Sequence, residues 1–331
     1  MQRQTCIAAI LLLLVGVVIG PAHAIVVGDA QNDSLYRTLG SSAPYDSVGQ
    51  FMGTTPKYGF MASGTLVAPE WVLTAAHVVD DAKTLSFTIG GQTYEVDRKI
   101  VHPSWKGDLW SGSDIGLVHL VKPVDNIKPA QIYTGSSELH QTDTVVGYGK
   151  TGAGDSADTK SDGVKRGAQN VISQIENKRL LVADSDNPLP AGAAPLGYSH
   201  ALPLEGLIGP GDSGGGLFIT TSAGTYLAGV NSFVGSDFGV PHSVNGNFSG
   251  HTRVSAYSDW IEARIRGEDP VPADTSQEND KGSKRLTAYP APEPGSLVLL
   301  AAAAVMLGIS RCLLHRPAAR WRPSGISDTR V

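Results

Sequence analysis

Three short segments carry side chains that could act together as a nucleophile, a proton acceptor and an orienting acid. His77 ends the segment WVLTAAH, Asp114 opens the segment DIGLVHL, and Ser213 lies in the glycine-rich segment GPGDSGGGL. A serine hydroxyl is a poor nucleophile at neutral pH, so a neutral imidazole has to accept its proton during attack. A buried carboxylate can hold that imidazole in the required tautomer. Taken singly, each has a plainer interpretation, as a structural histidine, a turn aspartate or a glycine-rich loop.

The elements that would position these residues are short strands. Apolar runs separated by Gly, Pro, Asn and Asp are typical of an antiparallel sandwich or barrel. The predicted strands cover residues 66–67, 71–73, 85–89, 115–120, 144–146, 217–219 and 226–230. One helix is predicted from about Ser255 to Arg266, with Trp260 and Ile261 on its apolar face. The polar segment 152–167 predicts a surface loop, so the fold class is all-β with a terminal helix.

The order of the motifs resembles the chymotrypsin/trypsin family, in which the same histidine, aspartate and serine motifs follow one another. The similarity covers residues 25–266 and includes IVVG at Ile25, TAAH at His77, HPSW at His102, GYG at Gly147, GDSGG at Ser213 and the final Trp260 helix. This resemblance implies two packed six-stranded antiparallel β-barrels with a C-terminal helix. It also implies a serine endopeptidase that works through an acyl-enzyme intermediate and needs no cofactor.

The resemblance assigns a role to each chemical group of the site. Ser213 attacks the acyl carbon, His77 acts as general base and then as general acid, and Asp114 orients His77. The backbone N–H groups of Gly211 and Ser213 form the oxyanion hole, since glycine adopts the dihedral angles that such a tight cradle requires. The other histidines lack metal-ligand spacing such as HExxH, so no metal site is expected.

In this family, an Ile N-terminus pairs with the aspartate that precedes the catalytic serine. Here these residues are Ile25 and Asp212. Cleavage of a signal peptide after Ala24 would expose Ile25, which suggests that signal peptidase itself creates the activating terminus. The alternative is that IVVG is only the first strand and that Asp212 is held in another way.

The resemblance also places a substrate pocket. Its floor is Leu207, where trypsins have an aspartate, and Ser232, Phe233 and Val234 correspond to the family's substrate strand. A branched side chain at Val234 would make the pocket shallow. Cleavage after small or medium apolar residues is therefore expected.

Charge restricts the partners of the folded segment. Residues 25–310 contain 20 basic and 30 acidic side chains, which gives a formal charge of −10. An acidic domain repels phosphate backbones, which argues against nucleic acid as a partner. Protein or peptide substrates are expected instead.

Both ends of the chain predict sorting segments. Residues 1–24 begin with Arg3, continue with an apolar run and end in Ala22-His23-Ala24, which predicts a cleaved signal peptide, with an uncleaved anchor as the alternative. The only cysteines, Cys6 and Cys312, lie outside residues 25–311, so the folded domain has no disulfide to stabilise it.

The predicted C-terminal organisation is a flexible linker at 267–290, a sorting or anchor segment at 291–316 and a basic tail at 317–331. Pro292-Glu293-Pro294, the apolar run that follows and Arg311 resemble the PEP-CTERM signal, which implies an exosortase-type enzyme and at least transient membrane contact. A permanent tail anchor is the alternative. The expected location is the cell envelope or exterior of a bacterium.

Two other functions compete with the peptidase hypothesis. A catalytically inactive relative could serve as a binding or adhesion module at the cell surface, although it would not need an intact triad. An esterase of a different fold would usually carry GxSxG at a strand-to-helix turn, and Ser213 lies in GDSGG instead.

Overall fold

The computed structural model of the chain describes residues 26–27, 33–150, 152–153, 162–184, 202–236, 247–268 and 287–290. The chain divides into two units, 1–295 and 296–331, and every described residue lies in the first. The predicted signal peptide, sorting segment and basic tail lie outside the described residues. No helix in the described ranges is long and apolar enough to cross a membrane.

Six strands in the first half of the chain close into an antiparallel barrel. The short strand β1 (Val26–Val27) precedes the barrel. The six barrel strands are β2 (Val48–Thr54), β3 (Gly59–Ala68), β4 (Trp71–Thr74), β5 (Thr84–Ile89), β6 (Gln92–Val101) and β7 (Gly116–Leu120). The barrel order is β2-β3-β4-β7-β6-β5, and β5 pairs back with β2. Phe51 and Phe87 are cross-strand partners whose rings lie 4.8 Å apart in the barrel core.

The second half forms a larger antiparallel sheet. Its strands, together with two short ones, are β8 (Thr142–Gly147), β9 (Gly152–Ala153), β10 (Arg166–Val171), β11 (Gln174–Glu176), β12 (Leu180–Asp184), β13 (Gly206–Leu207), β14 (Gly216–Thr221), β15 (Gly224–Ser236), β16 (Asn247–Arg253) and β17 (Thr287–Pro290). The order is β10-β8-β14-β15-β16-β12-β11, and β17 adds to β15. A separate small sheet has the order β13-β1-β9.

The predicted fold class is confirmed, since two antiparallel barrel-like sheets and a C-terminal helix are present. Every predicted strand run lies within or overlaps an observed strand. The second sheet has eight strands in the described residues, two more than predicted. One of the eight, β17, comes from the segment predicted to be a linker, because β15 offers it an edge with which to pair.

Three α-helices occur in the described residues: α1 (Asp33–Gly40), α2 (Ala76–Val79) and α3 (Ser258–Ile265). The helix predicted at the C-terminal end is confirmed as α3, which follows a 3₁₀ turn at Val254–Tyr257. Trp260 and Ile261 of α3 are buried in the same apolar cluster as the first barrel. The chain therefore returns from the second sheet to cover the first.

Helix α1 was not predicted, and an ion-pair network holds it. Arg166 at the start of β10 donates from Nε to Asp33 Oδ1 at 2.6 Å and from Nη2 to Asp162 at 2.8 Å. Hydrogen bonds from Arg166 lower the pKa of Asp33 and lower that of Asp162 to about 2. The surface loop predicted for 152–167 is therefore wrong at both ends: Gly152–Ala153 form β9, and Arg166 enters β10 with its side chain 2% exposed.

The two sheets meet through aromatic packing and share one core cluster. Tyr45, before β2, lies with its ring 5.1 Å from that of Phe218 in β14. Val146 of β8 and Leu227 of β15 belong to the same cluster as the first barrel. Segments from both halves are thereby fixed against each other.

Candidate active site

His77 and Asp114 are brought together by one strand pair. Strand β4 ends at Thr74, opposite Gly116 of β7, so the residues after β4 and before β7 lie at the same end of the barrel. Nδ1 of His77 lies 2.7 Å from Asp114 Oδ2, and the backbone N–H of His77 donates to Asp114 Oδ1 at 2.9 Å. Asp114 is fully buried and the His77 side chain is 13% exposed. The carboxylate thus fixes both the position and the ring orientation of the histidine.

A third donor holds the same carboxylate. Ser232 in β15 donates from Oγ to Asp114 Oδ2 at 2.6 Å, and both side chains are fully buried. Thr252 in β16 donates to the Asp114 backbone carbonyl at 2.9 Å. Sequence analysis placed Ser232 in the substrate strand and did not identify its contact with Asp114. No local sequence signal indicates that contact, because 118 residues separate the two partners.

Ser213 lies in the turn between β13 and β14, next to the strand that leads to His77. The N–H of Ser63 in β3 donates to the Ser213 carbonyl at 2.8 Å. A Cβ on Gly214, which has φ +80°, would overlap Thr74 Oγ1 and the Ser63 carbonyl oxygen. Glycine is therefore required beside the serine, since only it allows this close approach with a positive φ.

The serine hydroxyl itself is buried and makes no hydrogen bond to any described residue. The structure thus contains the imidazole–carboxylate part of the predicted relay, while the bond from Ser213 Oγ to His77 Nε2 is not formed. Catalytic hydrogen bonds are often long before substrate binds and shorten in the complex. The triad as a whole stays a prediction.

The predicted oxyanion donors are oriented by their neighbours. The Pro210 carbonyl accepts from the Lys150 N–H at 3.0 Å, and the Asp212 carbonyl accepts from the Gly215 N–H at 2.9 Å. In a trans peptide the C=O and N–H groups point in opposite directions, so these bonds fix the N–H groups of Gly211 and Ser213. Neither of those N–H groups donates to another group in the described part of the chain.

Ser63 is a further positioning residue that sequence analysis missed. Its hydroxyl donates to the Gly211 carbonyl at 2.8 Å and accepts from the Tyr148 N–H at 2.9 Å. The glycine-rich turn of the second sheet is thereby tied to β3 of the first barrel. Gly211 itself has φ +93°, a value that favours glycine.

Asp212 is fully buried beneath this turn. Its Oδ1 accepts from the Gly149 N–H at 2.9 Å and its Oδ2 from the Gly209 N–H at 3.0 Å. A Cβ on Gly147 would overlap Asp212 Oδ1, which explains the first glycine of the GYG motif. The predicted partner Ile25 lies outside the described residues, so the Ile25–Asp212 pair stays a prediction.

The predicted pocket residues are all buried. Leu207 in β13 pairs with Val26, and the fold places Phe233 and Val234 on β15 directly after Ser232. The Phe233 ring lies 5.1 Å from that of Trp110 and 6.4 Å from that of Phe248. The backbone of β17 pairs with β15 from Phe233 onwards, so this strand already has a neighbour on the side that β14 leaves open.

Two other buried histidines are kept neutral by their surroundings. Burial, followed by the positive charges of Arg179 and Arg264, lowers the pKa of His102 to about 4. Burial alone lowers the pKa of His251 to about 3, and its Nδ1 lies 3.0 Å from Asn231 Oδ1. Both belong to the packed interior. Within the described residues, no cluster of three or more His, Cys, Asp or Glu side chains could hold a metal ion.

Known proteins match this arrangement at the level of family and fold. A putative peptidase of Corynebacterium glutamicum is 28% identical over 285 residues, covering 83% of this chain and 85% of that protein. A calcium-dependent serine proteinase of Mesocricetus auratus is 28% identical over 245 residues, 64% of this chain but only 33% of that protein. The solved structure of HL collagenase has a TM-score of 0.51 and 21% identity, over 70% of this chain and 97% of that one. The family described as Trypsin matches residues 39–261, more than half of the chain, which therefore belongs to the trypsin family of serine peptidases.

Proposed function

We propose that this protein is an active serine endopeptidase in which His77, Asp114 and Ser213 form the catalytic triad. The observation that carries the proposal is the 2.7 Å contact between His77 Nδ1 and the buried Asp114 carboxylate, with Ser213 in the adjoining turn. A binding protein has no need for a histidine fixed at both its backbone and its ring. The family match to residues 39–261 covers all three residues.

The proposed mechanism uses the three side chains and the backbone N–H groups beside Ser213, with the bond from Ser213 Oγ to His77 Nε2 forming when substrate binds. Ser213 Oγ adds to the substrate carbonyl carbon while its proton passes to His77 Nε2. That proton then moves to the amide nitrogen, the C–N bond breaks, and an acyl-serine remains. Water repeats the sequence, and the product carboxylate leaves. The N–H groups of Gly211 and Ser213 stabilise the negative oxygen, and one such donor typically contributes about 2.7–4 kcal/mol to transition-state stabilisation.

Maturation would follow from removal of residues 1–24. The freed ammonium group of Ile25 would pair with the Asp212 carboxylate, which in turn supports the oxyanion turn. Strand β1 favours this arrangement, because Val26 pairs with Leu207 and the Gly209 N–H, two residues later, donates to Asp212. Signal peptidase would be the maturing partner.

The proposed substrates are proteins or peptides with a small or medium apolar residue before the cleaved bond. Leu207 offers no charge to receive a basic side chain, and the branched side chain of Val234 would make the proposed pocket shallow. The enzyme would act outside the cytoplasm, at the cell envelope or beyond. Processing at the PEP-CTERM-like segment by an exosortase-type enzyme, with transient membrane contact, is part of the same proposal.

A specific observation favours one alternative, the inactive binding or adhesion module: the buried Ser213 hydroxyl has no hydrogen bond to the described residues. A fluorophosphonate probe distinguishes the two, because it modifies only an activated serine. The proposal expects stoichiometric labelling of the mature protein, loss of labelling in Ser213→Ala and a large reduction in His77→Ala. A folded mature protein that stays unlabelled would refute peptidase activity and favour the binding module.

A further inference from the structure

The strand beside the catalytic residues has an edge occupied by the chain's own C-terminal segment. Strand β15 pairs with β14 through residues 224–230 and with β16 through residues 229–236. Asn231 still exchanges hydrogen bonds with Gly214 and Gly215, in the turn before β14, and beyond Asn231 this edge of β15 would be open. Strand β17 covers it, with Phe233 opposite Pro290 and Ser236 opposite Thr287, in antiparallel orientation.

The edge that β17 covers lies next to residues that contact Asp114. It begins at the residue after Ser232, whose hydroxyl binds Asp114 at 2.6 Å. The 3₁₀ helix Leu109–Ser111, which precedes Asp114 in the chain, also lies against β17. The segment is thus bounded by two elements that lead directly to the catalytic carboxylate. An extended peptide binds a sheet edge by adding a strand, so this edge suits a substrate backbone.

We propose that Thr287–Pro290 is an autoinhibitory strand that competes with peptide substrates for the Phe233–Ser236 edge of β15. The inference rests on the proposed peptidase function and adds a regulatory device to it. A strand of four residues contributes few hydrogen bonds, so it opens readily. It is tethered, however, through residues 269–286, and tethering gives a segment a high effective concentration at its site.

The register fixes which backbone groups hold the strand. Pro290 has no N–H, so the Phe233–Pro290 pair is of the non-hydrogen-bonded kind. Hydrogen-bonded and non-hydrogen-bonded pairs alternate along an antiparallel ladder. Val234–Tyr289 and Ser236–Thr287 are therefore the hydrogen-bonded pairs, while the N–H of Ala288 points away from β15.

This alternation supplies a matched pair of variants. Tyr289→Pro removes an N–H that pairs with β15, whereas Ala288→Pro introduces the same ring where no ladder donor is lost. One ladder hydrogen bond changes an equilibrium by up to about tenfold. In the full chain, Tyr289→Pro is expected to lower the KM for a tetrapeptide substrate by up to about tenfold, with kcat unchanged. Ala288→Pro is expected to leave KM near that of the wild type.

A small ester of a single N-acetylated amino acid serves as the internal control, because its one amide group is too short to pair along the Phe233–Ser236 edge. Its KM is expected to be the same in all three proteins. Hydrogen exchange adds a readout independent of turnover: the amides of Val234 and Ser236, which face β17, should exchange faster in Tyr289→Pro than in Ala288→Pro when both carry Ser213→Ala.

The outcomes separate this inference from the proposed function. Fluorophosphonate labelling with equal tetrapeptide KM and equal exchange in both proline variants would overturn the autoinhibitory strand and leave the peptidase intact. Equal reductions of KM in both variants would also overturn it, since the register would then have no role. Failure of every variant to label would overturn the peptidase and the inference together.

Discussion

The hydroxyl of Ser232 offers a quantitative test of how the site is assembled. It donates at 2.6 Å to Asp114 Oδ2, and both groups are fully buried. Hydrogen bonds to charged groups contribute about 1.5–3 kcal/mol, and a buried carboxylate that loses a donor remains desolvated. Ser232→Ala is therefore expected to lower the free energy of unfolding by about 2 kcal/mol. Because the same carboxylate orients His77, kcat/KM should also fall, by roughly tenfold or more.

The chain provides a matched control for this variant. Ser173 donates from Oγ to Asp184 Oδ1 at 2.5 Å, and both are buried away from the triad. Ser173→Ala should cost about as much stability as Ser232→Ala, since it also removes a hydroxyl from a buried carboxylate. Its kcat/KM should be that of the wild type.

Urea unfolding gives the two free energies, and hydrolysis of a tetrapeptide substrate gives kcat/KM for both variants. The combination decides between a structural and a catalytic role for the Ser232 hydroxyl. Equal kcat/KM in the two variants would show that the Ser232 contact does not orient the triad. An unchanged unfolding free energy in Ser232→Ala would contradict the contact itself.

Two further predictions concern buried charges. Burial raises the pKa of Asp143 to about 8, and its carboxylate oxygens bond to no described residue. Because the folded pKa lies above the unfolded one, its contribution to stability is present below about pH 4 and is lost as pH rises towards 8, by about 1.4 kcal/mol per pH unit. In urea unfolding, the free energy of unfolding of Asp143→Asn should therefore increase relative to that of the wild type as pH rises from 5 to 8. A difference between the two proteins that does not change with pH would contradict this. Second, a protein that keeps Ala24 before Ile25 should show kcat/KM about 100-fold or more below that of one starting at Ile25, because breaking a buried ion pair costs about 3–5 kcal/mol. Equal activity would exclude the Ile25–Asp212 pair.

The strand elements could be predicted from sequence because they depend on local patterns. Apolar runs such as residues 71–73 and 226–230 are bounded by turn residues, and each became part of a strand. Helix α1 could not be predicted in this way. Its stabilising contacts include Asp33 with Arg166, 133 residues away, and the segment that contains Arg166 has the polar composition of a loop.

The segment predicted to be a linker contains a strand that its own sequence does not indicate. Residues 267–290 are polar and proline-rich, which is typical of a segment with no core of its own. Their last four residues nevertheless form a strand, because the pairing groups are supplied by β15 and not by the linker. A segment without periodicity can pair wherever a sheet leaves an edge open.

The proposed catalytic side chains come from motifs, but the groups that would stabilise the transition state are backbone N–H donors. Motifs cannot specify how those N–H groups point. In this protein their direction is set by the Lys150 N–H on the Pro210 carbonyl and by the Gly215 N–H on the Asp212 carbonyl. The turn that carries both peptides is held in place by the Ser63 hydroxyl, which donates to the Gly211 carbonyl. Ser63 belongs to the first barrel and Gly211 to the second half of the chain. The oxyanion cradle therefore depends on how the two sheets pack, so a substitution that shifts that packing should reduce turnover even where the triad is unchanged.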